Sequence, residues 1–113
     1  MVEHAPATLD AVFHALADRT RRAMLRNLSG KVLSISEIAE PFAMSFAAAS
    51  KHVKVLESAG LVRRTVQGRT HLCSLEAEGL REATDWLSFY DRFWSDRLDA
   101  LDEMIGQRAG DRP

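Results

Sequence analysis

The chain has few of the features that mark disulfide-rich, disordered, membrane-spanning or secreted proteins. Its single cysteine, Cys73, can form neither an internal disulfide nor a cysteine cluster for a metal. Only three prolines and a hydrophobic content of 46% exclude a disordered composition. No apolar run approaches the roughly 20 residues that span a bilayer, and the N-terminus lacks the pattern of a signal peptide. We therefore expect a cytoplasmic, soluble protein with one core, no cofactor and no membrane contact.

Arrangements that enzymes need are also missing. We find no glycine-rich phosphate loop after a strand and no pair of carboxylates at an evident cleft. Ser50 and His52 are two residues apart on a predicted helix, so their side chains point in different directions and cannot form a nucleophile and base pair. The sequence predicts that the protein is not an enzyme.

Charge is unevenly distributed along the chain, although its formal net value is only −1. Residues 1–44 hold five basic and five acidic side chains, whereas residues 45–71 hold five basic side chains against Glu57 alone. Residues 72–113 hold ten acids against five arginines. A polyanion responds to the local field, so the middle segment can approach phosphates while the acidic segment stays away.

Hydrophobic spacing in the N-terminal part predicts three helices and a brief strand. Thr8 is a candidate N-cap for a first helix over 8–17, and Asp18 for a second helix that ends at Ser29-Gly30. Residues 32–35 are short and β-branched, which favours a strand. Ser36 is expected to cap a third, short helix, and Pro41 to end it.

A fourth helix and a hairpin are predicted next. Ser45 is the expected N-cap and Gly60 the residue that ends the helix. Its predicted inner positions are Phe46, Ala49, Val53 and Leu56. Two strand-like runs then flank Gly68, which indicates a β-hairpin. From Glu76 onward, the spacing predicts one long helix with an apolar stripe, followed by a loose tail over 108–113.

Three segments together resemble the ArsR/SmtB family of bacterial repressors. They are residues 16–22 (LADRTRR), residues 50–62 (SKHVKVLESAGLV) and the Gly68-Arg69 pair. The resemblance extends from about Leu9 to Leu101. It implies a mainly helical winged helix-turn-helix with a small β-hairpin wing, dimeric through its terminal helices. It also implies that the protein releases operator DNA when a ligand, often a metal ion, binds.

In this interpretation the fourth helix is the recognition helix and the hairpin is the wing. The expected layout is one domain over 1–107, with the recognition helix at about 45–59, the wing at 61–75 and dimerisation helices at 8–17 and 76–106. A helix turns about 100° per residue, so burial of Ala49, Val53 and Leu56 places a small, cationic face outward. Such a face suits the major groove, and double-stranded operator DNA is the expected partner.

Candidate DNA contacts lie on both elements. Ser50 and His52 flank the buried stripe and can reach base edges or phosphates. Arg63 and Arg64 are adjacent, so strand alternation sends one to each face and only one is expected to meet DNA. Arg69, at the turn, is placed to follow the phosphates or enter the minor groove. The full set is Ser45, Ala47, Ser50, Lys51, His52, Lys54, Arg63, Arg64 and Arg69.

The last helix is too apolar for a lone surface helix, so it either completes the core of one chain or needs a partner. The resemblance implies that the partner is a second copy of the chain. The first helix offers a further stripe that we expect to be uncommitted to the core. The expected dimer residues are Leu9, Val12, Phe13, Leu87, Tyr90, Trp94 and Leu98.

The ligand sites that the resemblance implies are absent from the sequence. Metal-sensing members commonly use a Cys-x-Cys pair on the third helix, where this chain has serines in residues 33–37 (LSISE). Others use histidine and acidic ligands on the last helix, but residues 76–106 contain no histidine. Serine hydroxyls cannot replace thiolates as ligands for soft metals. No metal site is therefore predicted, and a small-molecule effector stays unidentified.

Two alternatives stay open at this point. A winged-helix module that binds protein without DNA is compatible with the near-neutral net charge. A metal-responsive or redox-responsive sensor with an unusual site would use His4 and His14 across the dimer, or Cys73 in a bridge between subunits.

Overall fold

The computed structural model describes the backbone of residues 4–110 and the side chains of residues 8–106. The chain divides into two units, the first ending at Ala83 and the second beginning at Thr84. The elements, in order, are α1 (His4–Leu16), α2 (Arg19–Leu28), β1 (Val32–Ser34), α3 (Ile35–Ala39), α4 (Phe46–Ser58), β2 (Val62–Gln67), β3 (Thr70–Leu75), a 3-10 turn (Ala77–Leu80), α5 (Arg81–Ser88) and α6 (Asp91–Gly110). The predicted mainly helical fold with a β-hairpin wing is confirmed.

Side-chain caps set the start of three helices. The Asp18 carboxylate accepts from the Arg21 N–H at 3.0 Å, and the Ser45 hydroxyl accepts from the Ala48 N–H at 3.1 Å, so both predicted caps are confirmed. Ser36 was the wrong choice for α3. Ser34 is the N-cap and forms a reciprocal capping box with Glu37.

The start of α1 also differs from the prediction. The helix begins at His4, and Thr8 lies inside it. Pro6 falls in the first turn, where the missing N–H costs no helical hydrogen bond. Pro6 is therefore compatible with a helix that begins before Thr8.

Gly60 ends α4 by the mechanism that the sequence predicts. It adopts a φ of 79°, its N–H donates to the Glu57 carbonyl at 3.0 Å, and the Leu61 N–H donates to the Leu56 carbonyl at 3.0 Å. The backbone of Gly79 lies close to this corner, because a Cβ added there would be 2.0 Å from the Gly60 carbonyl oxygen. A side chain at position 79 would therefore force the corner apart.

A three-stranded antiparallel sheet in the order β1-β3-β2 carries the wing. The two wing strands pair from Val62 with Leu75 to Gln67 with Thr70, and Gly68 makes the turn with a φ of 62°. Helices α1 to α4 and the sheet enclose the core of the first unit. Its most completely buried large side chains are Met24, Leu28, Leu56, Leu61, Val12, Val53 and Cys73.

The single long helix predicted from Glu76 is wrong. A 3-10 turn comes first, α5 ends at Ser88, and α6 begins at Asp91 after a turn at residues 89–90. Helix α6 then continues to Gly110, beyond the predicted helix end at residue 106 and into the predicted loose tail, whose residues 111–113 lie outside the described part of the chain. No helix within residues 4–110 is long and apolar enough to cross a membrane.

Candidate nucleic-acid interface

Helix α4 separates a buried face from a cationic one. Ala49, Val53 and Leu56 are at most 1% exposed, in agreement with their predicted inward position. Ala47, Lys51, Lys54 and Ser58 are exposed on the other side, while Ser50 and His52 are half-buried at its edge. The outer face thus combines small side chains with two cations.

Phe46 does not follow the predicted inner stripe. It is 59% exposed at the start of α4. It lines a cavity of about 340 Å³ together with Arg69 and His71 of the hairpin and Ser36 of α3. The apolar spacing alone could not reveal this, because the first turn of α4 extends past the core. The exposed aromatic ring of Phe46 therefore projects from the start of α4 toward the turn of the hairpin.

His52 is held by Arg21, a residue that the sequence interpretation did not single out. The Arg21 Nη1 lies 3.3 Å from the His52 Nδ1. A guanidinium can only donate, so a hydrogen bond here needs the His52 tautomer whose Nδ1 accepts and whose proton is on Nε2. In that tautomer the Nε2 is a donor. The signal in the sequence was the arginine-rich segment 16–22.

The same guanidinium also closes the end of α1. Arg21 Nε donates to the Ala15 carbonyl at 2.7 Å and Nη2 to the His14 carbonyl at 3.1 Å. These carbonyls belong to the last turn of α1, where carbonyls lack the usual helical partner four residues on; the His14 carbonyl also accepts from the Ala17 N–H at 3.2 Å. Arg21 thus joins α1, α2 and α4.

The two wing arginines have different surroundings, as alternation along the strand predicts. Arg63 has a side chain that is 69% exposed and lies 2.5 Å from the Glu76 carboxylate. Arg64 has a side chain that is only 18% exposed, pairs with Glu57 of α4 at 2.9 Å, and contacts His71 at 3.3 Å. Arg64 therefore ties the wing to α4, and most of its side chain is buried by these contacts. Arg69 is exposed beside the turn.

The Cys73 thiol lies in the core beneath the wing. The residue is fully buried. Burial raises the pKa of the Cys73 thiol, and the charge of Arg64 opposes this only in part. A buried, protonated thiol is a poor nucleophile and a poor metal ligand.

Candidate metal ligands are also dispersed in the described structure. Among residues 8–106, whose side chains the structure describes, no three His, Cys, Asp or Glu residues come together as a metal site would need. The side chain of His4, one of the two histidines considered for a metal across the dimer, lies outside the described residues.

The second unit exposes the aromatic side chains expected at a dimer interface. Leu87, Tyr90, Trp94 and Leu98 are between 41% and 66% exposed. Tyr90 packs against Phe89 and Trp86 with ring centroids 4.9 and 5.2 Å apart. Every described residue from Thr84 to Gly106 is exposed. This stretch buries no apolar side chain of its own.

The predicted dimer residues of α1 behave differently. Val12 is fully buried in the core of the first unit, so the expectation that it belongs to an uncommitted stripe is wrong. Leu9 and Phe13 are half-buried and pack against the same core. The stripe of α1 is therefore largely used within its own unit.

Comparisons with known proteins agree with this geometry. A model described as a helix-turn-helix domain matches residues 16–65. The HTH-type transcriptional regulator Rv2034 of Mycobacterium tuberculosis is 34% identical over 102 residues, which cover 90% of this chain and 92% of that protein. The transcriptional repressor SdpR of Bacillus subtilis is 30% identical over 79 residues, 70% of this chain and 88% of the repressor.

A solved structure extends the similarity to three dimensions. The crystal structure of an ArsR family transcriptional regulator matches with a TM-score of 0.72 at 39% identity. The match covers 80% of this chain and 93% of that one.

Proposed function

Because the chain belongs to the ArsR family of winged helix-turn-helix transcriptional regulators, we propose that it represses transcription as a homodimer bound to a two-fold symmetric DNA operator. Helix α4 enters the major groove, and the wing follows the backbone or the minor groove. Since a DNA-binding regulator acts where the chromosome is, the expected cytoplasmic location is part of this proposal. The proposed function involves DNA binding and no catalytic reaction.

The outer face of α4 is the observation that carries the proposal. Its small residue Ala47 permits close approach to base edges, and Lys51 and Lys54 provide charge for phosphates. The Nε2 of His52, a donor in the tautomer that accepts from Arg21, suits an acceptor on a base or phosphate. The remaining proposed contacts are Ser45, Ser50, Arg63 and Arg69. Arg64 contributes indirectly, because its pair with Glu57 positions the wing against α4.

The exposed apolar surface of the second unit supports the homodimer. Leu87, Tyr90, Trp94 and Leu98 are large apolar side chains that are left exposed, and exposed apolar patches mark interaction surfaces. Two copies related by a two-fold axis would present two α4 helices to half-sites about 34 Å apart, one turn of DNA. The genes that lie next to the operator are then the expected targets of regulation.

The test is DNA binding by purified full-length protein. Genome-wide footprinting supplies a bound duplex, and fluorescence anisotropy then gives the affinity as a function of salt. We expect Lys51→Ala and Arg69→Ala each to weaken binding about tenfold and to reduce the salt slope by about 1, since each removes one phosphate contact.

Lys31→Ala is the matched control. Lys31 precedes Val32, which pairs with Ser74, so it lies at the end of the sheet away from the hairpin turn. The control should bind like the native protein. Unchanged affinity in both test variants would contradict the assigned surface. Affinity that does not fall with added salt would favour the protein-binding alternative.

A further inference from the structure

A groove in the first unit lies where α1 faces the second half of α4. It has a volume of about 400 Å³ and lies apart from the cavity near the wing tip. It is lined from α1 by Ala11 and His14, from α4 by Lys51, Lys54, Val55 and Ser58, and from the C-cap of α4 by Ala59. Its volume is within the range of sites for small molecules, about 300–1,000 Å³.

The lining combines an apolar interior with a cationic edge. Ala59 is buried, and Ala11 and Val55 are half-buried. Lys51 and Lys54 are exposed, and the lining includes no acidic side chain. An apolar interior does not stabilise phosphate or a metal ion, because burial of a charge without partners is costly. The two ammonium groups at the edge favour an anion. The complementary ligand has both an acidic group and an apolar body.

We propose that this groove binds a small amphiphilic organic anion, a carboxylate with a short alkyl or aryl tail, and that the bound anion displaces DNA. The tail would cover Ala11, Val55 and Ala59 while the carboxylate pairs with Lys51 and Lys54. Those two lysines also belong to the proposed DNA surface, so one anion competes with another for the same charges. The competition between the organic anion and DNA rests on the proposed function. The binding of the anion to the groove does not depend on it.

A second cavity, of about 640 Å³ in the second unit, is a weaker candidate for the same ligand. It is lined by Leu87, Tyr90, Phe93 and Trp94, together with Asp91 and Arg97. The carboxylate of Asp91 disfavours an anion there, and the aromatic residues belong to the proposed dimer surface. Binding at this cavity is an outcome that the experiment must distinguish.

Three probes built on an eight-carbon chain separate the contribution of charge. Octanoate, octanol and octyltrimethylammonium are titrated into the isotopically labelled full-length protein, and methyl signals are followed by NMR. We expect octanoate to shift the signals of Ala11, Val55 and Ala59 and to bind at least about tenfold more tightly than octanol, since the ammonium groups add charge-assisted hydrogen bonds. The cationic probe should not bind. Equal affinity of the three probes, or shifts confined to the methyl groups of Leu87, would overturn the proposal.

Variants then test the location. Ala11→Phe fills the groove, and we expect it to lose octanoate binding more than tenfold; Ala77→Phe adds the same ring at an exposed position and should bind normally. Lys54→Gln, at an exposed site that leaves the fold undisturbed, should bring octanoate affinity down to that of octanol. Full octanoate affinity in Ala11→Phe, or an unchanged preference for octanoate in Lys54→Gln, would refute the groove as the site.

The final measurement links the groove to DNA. Saturating octanoate should weaken operator binding at least tenfold in the native protein and leave Ala11→Phe unaffected. Operator affinity that is unchanged by bound octanoate would refute the competition while leaving the site in place. A native protein that binds octanoate but ignores duplex DNA would contradict the proposed function and not the groove.

Discussion

The two units of the chain treat their apolar side chains in opposite ways. In the first unit, Met24, Leu28, Leu56 and Leu61 are at most 1% exposed, and the packing of helices against the sheet accounts for each of them. In the second unit, no described residue is buried, and large side chains from Trp86 to Ile105 are 41% to 66% exposed. The first unit has a buried core and exposes only a few large apolar side chains, such as Phe46, whereas the described part of the second unit exposes all of its large apolar side chains.

This difference separates two kinds of stability. Burial of apolar surface inside one chain stabilises that chain at any protein concentration. Burial between two chains contributes only when they associate, so its effect depends on concentration. If the second unit is the dimer surface, substitutions in the two units must respond differently to dilution.

The largest effect is expected in the core of the first unit. Leu56→Ala should lower the free energy of unfolding by about 2–5 kcal/mol, because it removes buried methyl groups and leaves a cavity. Urea denaturation at two protein concentrations measures this loss, which should be the same at both. Leu98→Ala is the counterpart in the second unit, and its effect should vanish on dilution below the dimer dissociation constant. Equal, concentration-independent losses would abolish the distinction between the units.

A smaller effect, on association alone, is expected at Trp94. Trp94→Ala should weaken the dimer by about 2 kcal/mol, or about 30-fold, as loss of a central aromatic anchor does. Sedimentation equilibrium checks this, with Thr84→Ala as a control at an exposed position that lacks a large apolar side chain. DNA affinity should fall together with the fraction of dimer. A variant that sediments like the native protein would remove Trp94 from the interface.

The N-cap of α4 makes a still smaller contribution to the stability of the first unit. Ser45→Ala should cost about 1 kcal/mol, because the Ala48 N–H loses its acceptor. Ser36→Ala is the control, since Ser36 follows the true cap of α3, and it should change the stability by less than about 0.5 kcal/mol. Denaturation curves that rank the two serines the other way would contradict the observed cap.

The smallest effect concerns the acid side of the stability curve. The Arg21 N–H that donates to Asp18 lowers the pKa of this carboxyl below its ordinary value of 3.8, and the Arg21 charge adds to the effect. A depressed pKa contributes stability that is present above 3.8 and is lost as the pH falls through the lower folded-state value. Asp18→Asn keeps a capping acceptor without the charge.

Thermal melting between pH 2 and 6 would therefore show a shallower acid decline in Asp18→Asn than in the native protein. Identical acid limbs in the two proteins would mean that the Asp18 charge contributes nothing to folding.

Features that depend on a few neighbouring residues were predictable from the sequence. Asp18 and Ser45 cap their helices, and Gly60 and Gly68 adopt the left-handed backbone conformation that their turns require. The Ser-x-x-Glu spacing of Ser34 and Glu37 also carried the signal for α3, although the neighbouring serine was preferred. Local hydrogen bonds decide all of these, so the local sequence contains the necessary information.

Features that depend on tertiary packing were not predictable in this way. Val12 and Phe46 both fit an apolar stripe, yet one is fully buried and the other is largely exposed, because burial depends on what the neighbouring elements cover. The turn between α5 and α6 contains Phe89 and Tyr90 rather than glycine or proline, so the usual signals of a helix end are missing. The pairing of Arg64 with Glu57 likewise exists only once the wing packs on α4.

The guanidinium of Arg21 has a mechanical consequence for regulation. Its three nitrogens contact the carbonyls of Ala15 and His14 and the ring of His52. A displacement of the last turn of α1 relative to α4 has to stretch these contacts, break one of them, or be absorbed by the Arg21 side chain. One guanidinium thus couples the position of the end of α1 to that of the His52 ring at the edge of α4.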